Sequence, residues 1–413
     1  MRTRNWMVRL LSVAALTLAL GEPAPRAEGE APSDPTRGGW DGFLDPLRAG
    51  EDWLVDHSQK PLEERTKIHA GFGIDKSWMW NFNDPASGIN SLHSLDPDHD
   101  SASLDFSQLS LLRPSDGFIP GFGLKLDAGR IAKRSKADWD GDGVLAVGDT
   151  FEKNDFDVQE AYLTLDVPKE LLGFEGLSLK GGKFVTLLGA EVIEPWANYN
   201  FSRSFLFSFA IPFTHVGGLV SYKVTDNVSL TGGVIEGWDI AHDNNNAPSG
   251  IANVTWILND VATLAANGIY GPEQTGRNGP KRGIVDLVAT VKPLDRLTLL
   301  LNYDYGHESD IVGGTRPAHW QGFAAVANYD WTDRFSTAFR GEWFEDAQGI
   351  RTGIGQTLWE TTLDAKYLIT QHLYGRLEYR HDESNKGDVF AAGDTKLLAG
   401  QDIVGFEFGY LFN

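Results

Sequence analysis

The feature that most limits what this chain can become is a rhythm in its connections. From Lys67 onward, segments of about ten residues alternate in polarity, and the links between them are by turns short and long. At residues 359–367, Trp359, Thr361, Leu363, Ala365 and Tyr367 share one face while Glu360, Thr362, Asp364 and Lys366 share the other. Residues 297–305 place Leu297, Leu299, Leu301, Tyr303 and Tyr305 together. A period of two is the mark of a strand whose side chains point alternately to opposite faces. A soluble sandwich alternates as well, so the links have to decide. The short ones are 113–118, 168–175, 225–227, 259–260, 292–295, 331–334 and 369–371, several with Asp, Asn or Pro to make the turn. The links between them are long. A barrel in an outer membrane has short periplasmic turns and long outer loops, and a sandwich has no cause to keep such a pattern. The expectation is an all-β fold, a transmembrane antiparallel up-and-down β-barrel of about sixteen strands over residues 67–413. An even count leaves both termini in the periplasm.

The N-terminus supports export. Arg2, Arg4 and Arg9 precede the apolar run 10–20, and Ala19-Leu20-Gly21 is a small-residue cleavage site, so residues 1–21 are expected to be a signal peptide. Residues 22–66 are expected to be a Pro-, Glu-, Ala- and Gly-rich linker followed by a short helical periplasmic or plug segment from Trp40 to Arg65, which holds the one plausible helix beyond the signal. No other stretch approaches the roughly 18 apolar residues that a membrane-spanning helix needs. The chain has no cysteine, which excludes disulfides, thiolate catalysis, Cys-ligated zinc and thioether-bound haem. A formal charge of −21 argues against nucleic acid as a partner. At the C-terminal end Val404, Phe406, Phe408, Tyr410 and Phe412 form one aromatic face for outer-membrane lipid, with Asn413 one residue beyond.

Residues 189–218 contain Asn200, Ser202, Arg203 and Ser204, then Pro212, Phe213, Thr214, His215 and Gly217. With the strands around 159–162 and 182–184, this segment resembles the OmpL-like β-barrel porins of the outer membrane, and the resemblance covers roughly residues 67–413. It implies a porin-like pore. Analogy with general porins adds a homotrimer.

The loop 188–212 follows the fifth strand as the third outer loop, the position at which general porins fold a loop into the lumen. It mixes Trp196, Tyr199, Phe201, Phe205, Phe207 and Phe209 with Glu191, Glu194, Asn198, Asn200 and Arg203. An exposed loop so aromatic would be a sticky patch. Folded inward, it would bury its rings against the wall and turn its carboxylates and Arg203 to the channel, where charge sets ion preference. The alternative is a loop lying flat over the mouth. Arg340, Glu342, Asp364, Arg376, Glu378 and Arg380 are expected on the pore wall. Asp138, Asp140, Asp142, Val144 and Asp149 match the oxygen-donor spacing of a calcium loop, with Gly143 at its sharp turn; the segment either closes on Ca2+ or is an acidic turn without an ion. The ten histidines are scattered, and there is no nucleophile elbow or phosphate loop, so no catalytic residue is assigned and no enzymatic activity is expected. The expected function is passive diffusion of small hydrophilic solutes or ions. The alternatives are a barrel scaffold for a separately encoded partner and an outer-membrane enzyme.

Overall fold

The computed structural model describes residues 48–52, 55, 59–102, 104–137, 154–173, 175–311 and 316–412. The signal segment and the whole Asp138–Asp149 loop lie outside the described residues. Sixteen strands close a barrel: β1 (His69–Asn81), β2 (Leu104–Arg113), β3 (Gly121–Ala128), β4 (Phe156–Val167), β5 (Leu177–Val185), β6 (Thr214–Lys223), β7 (Val228–Ile235), β8 (Ser249–Ile257), β9 (Ala262–Gly271), β10 (Arg282–Leu294), β11 (Leu297–Glu308), β12 (Ala318–Asp330), β13 (Phe335–Asp346), β14 (Gln356–Leu368), β15 (Leu373–Ser384) and, after a small hairpin of β16 (Phe390–Ala392) and β17 (Lys396–Leu398), β18 (Gly400–Phe412). Each strand pairs antiparallel with its neighbours in sequence, and β1 closes on β18 in a register that sets Trp78 opposite Phe406. Closure removes the free edges that would otherwise expose unpaired backbone to lipid.

The faces follow the pleat. In β13, β14 and β15 the inward positions, such as Arg340, Glu360 and Glu378, are buried, while Phe339, Trp359, Leu363, Tyr367 and Leu377 are exposed on the outside. In β18, Gly405 and Glu407 are buried and Phe408 is 60% exposed, as an outer apolar face requires. Four of the short connections share one device. The hydroxyl of Thr225 accepts from the backbone N–H groups of Asn227 and Val228, and Thr332 and Thr370 each accept from the N–H groups two and three residues ahead, with the Asn259 side chain doing the same for Val261 and Ala262. Four hairpins at one end are therefore fixed by a single side chain each.

The fold departs from the sequence reading at a few ends. The third strand stops at Ala128 rather than 131, because Gly129 takes φ +116° and starts the short helix Arg130–Ser135. The seventh stops at Ile235, short of Gly237 at φ +155°. Both glycines adopt backbone that other residues rarely reach. Strands β11, β13 and β15 instead run further toward the long-loop end than their apolar alternation suggested. The expectation of a single helical region beyond the signal also needs correction: besides Lys60–Thr66, the described residues form helical turns at Arg130–Ser135 and Lys169–Leu172, too short to leave a 3.6-residue pattern. Near the N-terminus, Glu51 accepts from the Thr370 hydroxyl at 2.9 Å and Asp52 from Gln371 at 3.0 Å, which ties this segment to a short-turn hairpin.

Candidate functional site

Between β5 and β6 the chain does not lie over the mouth. It turns into the lumen, through a 3-10 turn at Pro195–Ala197 and a π turn at Leu206–Ala210. Hydrophobic burial supplies the driving force. Ile193, Trp196, Phe201, Phe205, Leu206, Phe207 and Ile211 are all buried. The wall makes room for them. A Cβ at Gly73 would fall 2.3 Å from the Trp196 ring, and one at Gly322 would fall 2.6 Å from Leu206, so glycine at these two inward positions lets the loop seat against the strands.

Polar bonds then fix the loop, and their donors and acceptors are sorted by charge. Wall carboxylates take the loop's N–H groups. Glu378 accepts from Phe201 and Ser202 at 2.7 and 3.0 Å, Glu342 accepts from Phe205 and Leu206 at 2.6 Å each, and Asp286 accepts from Gly189 at 3.0 Å. Wall cations take its carbonyls. Arg340 donates to Ser202 O at 2.7 Å, Arg380 to Arg203 O at 2.6 Å and Arg376 to Asn198 O at 3.1 Å. Each such bond joins a charge to a peptide group and is worth about 1.5–3 kcal/mol where water is excluded. The arrangement satisfies an irregular backbone at membrane depth, where unpaired peptide groups are costly.

All six expected wall residues face inward, yet they do not line open water. Arg340 (0% exposed), Glu342, Asp364, Arg376, Glu378 and Arg380 are buried beneath the loop. The loop residues divide. Glu191 accepts from Arg340 at 2.7 Å and from the Ser204 N–H and hydroxyl at 2.8 and 2.5 Å. Glu194 accepts from Lys125 on β3 at 2.8 Å and from Gln108 on β2 at 3.2 Å. Asn198 braces the loop itself, through Val192 N–H and O and Glu194 O, all at 2.9 Å. Asn200 is 2% exposed and lines a small cavity with Tyr199, Leu300 and Val326; neither atom of its amide has a protein partner among the described residues. Arg203 corrects the expectation. It does not face the channel: its guanidinium donates to the carbonyls of Val192, Phe201 and Ile193 and folds the loop onto itself, leaving 3% exposure. Three backbone carbonyls of the loop itself outcompete the lumen for it.

Other residues of the site did not stand out in the sequence. Glu360 pairs with Arg340 at 2.5 Å, Asn302 accepts from Ala190 at 3.2 Å, and the Trp320 indole donates to Ala210 O at 3.0 Å. The one visible signal was Glu360's inward phase on its strand. His215 closes the base of the loop, with Gly237 O at 2.9 Å and the Thr186 hydroxyl at 3.0 Å, while Asp239 accepts from Phe213 and Thr214. The Pro-Phe-Thr-His stretch is thus the point at which the loop rejoins the wall. The family model described as "Putative beta-barrel porin-2, OmpL-like" matches residues 69–412.

The chain belongs to the OmpL-like porins.

No curated relative matches it. Solved structures give the same architecture for the porin at low identity. The outer membrane channel DcaP of Acinetobacter baumannii is 12% identical, over 84% of this chain and 97% of that one, with a TM-score of 0.54. A trimer form of OmpT, an outer membrane protein of Vibrio cholerae, is 12% identical over 83% and 98%, with a TM-score of 0.53. An anion-selective porin from Comamonas acidovorans is 10% identical over 84% and 99%, with a TM-score of 0.51. The porin is therefore an outer-membrane channel protein, and by the rule of short periplasmic turns its loop 186–213 enters the barrel from the outer side.

A second outer segment of the porin, residues 82–102, also folds inward. His93 lies buried between Asp96 of its own loop at 3.1 Å and Asp382 of β15 at 3.2 Å, and Ser94 donates to Ser208 of the inward loop at 2.8 Å. Burial opposes a charged imidazole there, and Arg380 does too. The Asp96 charge and the two hydrogen bonds outweigh both and push the His93 pKa up to about 9. A raised histidine contributes stability that is complete below its ordinary 6.5 and is lost as pH climbs through about 9. Loss of the proton leaves one N–H to serve two carboxylates. Limited proteolysis within 82–102 is therefore expected to accelerate between pH 7 and pH 10, and His93→Gln is expected to flatten that dependence. An equal acceleration in the variant would exclude the histidine as its source.

Proposed function

We propose that this porin is a passive diffusion channel for small hydrophilic solutes, narrowed by the loop 186–213 and preferring cations, with no catalytic step. The observation that carries the reading is the loop's attachment to the inner wall by Asp286, Glu342 and Glu378, which holds a constriction in place. The preference follows from charge. Carboxylates outnumber cations among the buried inward side chains, with Asp286, Asp304, Glu308, Glu342, Asp346, Glu360, Asp364, Glu378, Asp382 and Glu407 against Arg340, Lys366, Arg376 and Arg380 on β10–β15 and β18. A lumen of one net sign enriches the opposite ion. The trimer form of the similar Vibrio cholerae protein supports a homotrimeric assembly for this chain.

The test is a reversal-potential measurement across a KCl gradient in planar bilayers. The expected K+/Cl− permeability ratio exceeds one. Glu191 and Glu194 are partners of Arg340 and Lys125, so changing both to Gln removes two negative charges, leaves these cations with Glu360 and Glu160 alone, and is expected to move the ratio toward anions. An unchanged reversal potential would remove the loop from any part in selectivity, and a wild-type ratio below one would overturn the cation preference.

A further inference from the structure

Above the inward loop, at the outer end of the lumen, a second group of side chains converges. Trp238 comes from the outer loop 236–248, Trp320 from the first turn of β12, Arg282 from the start of β10, and Arg351 from the outer loop 347–355. The two indoles meet edge to face at 6.1 Å. The Arg351 guanidinium sits 5.1 Å from the Trp238 ring and 5.2 Å from the Trp320 ring, and Arg282 sits 5.2 Å from Trp238. Two like charges share one aromatic platform.

Their partners differ. Arg282 is neutralised by Glu308 at 2.8 Å. Arg351 has no carboxylate within ion-pair distance among the described residues; only its Nε is engaged, donating to Phe209 O at 2.5 Å. The nearby acids are occupied elsewhere. Asp346 accepts from the backbone N–H groups of Ile350, Arg351 and Thr352, Asp239 from Phe213 and Thr214, and Glu308 from Arg282 and Gln274. Burial and the Arg282 charge lower the Arg351 pKa to about 10, against the opposing charges of Asp239, Asp346 and Glu308. The platform orients the flat group and Phe209 O fixes one edge, so the Nη1 and Nη2 side remains for a planar, two-oxygen acceptor.

We propose that Arg351, seconded by Arg282 on the Trp238–Trp320 platform, is a carboxylate-binding station in the outer vestibule that takes small organic acids ahead of the constriction. It rests on the reading of this lumen as a solute path only for its biological use. The binding itself is read without transport, so a failure of one leaves the other standing. The experiment is calorimetric titration of the detergent-solubilised full chain with benzoate, with benzyl alcohol as the uncharged control and inorganic phosphate as the tetrahedral anion. Benzoate is expected to bind about tenfold tighter than either, and Arg351→Ala to lose about that factor. Because Arg351 also holds Phe209 O, Ser94→Ala is the control: it removes the hydrogen bond to Ser208 in the same turn without touching the platform or its arginines, and is expected to retain benzoate binding within about threefold. Unchanged binding in Arg351→Ala, equal binding of benzyl alcohol, tighter binding of phosphate, or an equal loss in Ser94→Ala would each overturn the assignment.

Discussion

Replacing Arg340 with alanine is expected to destabilise the loop–wall assembly by about 3–5 kcal/mol, because the change strands two buried carboxylates at once. Arg340 reaches Glu360 at 2.5 Å, Glu191 at 2.7 Å and Ser202 O at 2.7 Å, and it is fully buried. Removing it leaves Glu360 and Glu191 facing the same space without their cation and leaves Ser202 O without its donor. The alternative routes for these charges are poor: Glu360 keeps Arg380 at 3.7 Å, and Glu191 keeps only Ser204. The expected readouts are a lower temperature for loss of the folded barrel on unheated gels and a noisier open-channel current. Arg340→Lys should recover little, since a single ammonium cannot span Glu360, Glu191 and Ser202 together. An alanine variant with wild-type heat resistance and current noise would show that the network contributes nothing to holding the loop.

The second large effect is expected from the paired substitution Glu342→Gln with Glu378→Gln. Each carboxylate accepts from two consecutive backbone N–H groups, one per oxygen. A glutamine offers one oxygen and turns an N–H2 toward the second donor. Each site thus loses one charge-assisted bond and meets a donor–donor contact, at a cost of about 1.5–3 kcal/mol. Together they weaken the attachment of residues 201–206 by at least about 3 kcal/mol, which is roughly a hundredfold in the population of the detached loop. Single-channel conductance is expected to rise and to fluctuate between levels, while the barrel's β-sheet signal by circular dichroism stays constant, because the ladder bonds are untouched. Conductance identical to wild type would mean that these two glutamates do not hold the constriction.

Much of the architecture was legible because a barrel strand has one degree of freedom that matters, its phase. Trp359, Leu363 and Tyr367 could be assigned outward and Glu360, Asp364 and Lys366 inward from polarity alone, since lipid and lumen select opposite side chains at alternate positions. The strand ends were less legible at glycines, as at Gly129 and Gly237, where backbone conformation rather than polarity stops the ladder. The loop was located correctly, and its aromatic content gave its inward course, but its charges were misjudged: Glu191, Glu194 and Arg203 were expected to face the channel, and the two glutamates instead pair with the wall cations Arg340 and Lys125. Arg203 looked like a charge for the channel; the loop's own carbonyls claim it.

The division has a physical origin. Period two, turn residues and the absence of a long apolar helix are local, so the sequence by itself determined an outer-membrane barrel of sixteen strands, its two faces, and the segment that enters it. Which charges meet across the lumen is not local. Glu191 and Arg340 are 149 residues apart, Ser202 and Glu378 are 176 apart, and their meeting depends on closure of β1 on β18 and on the register of every ladder between. Only the tertiary structure decided that the wall's arginines and glutamates are the fastenings of the loop, and that Arg351 is left at the mouth with a guanidinium edge to spare.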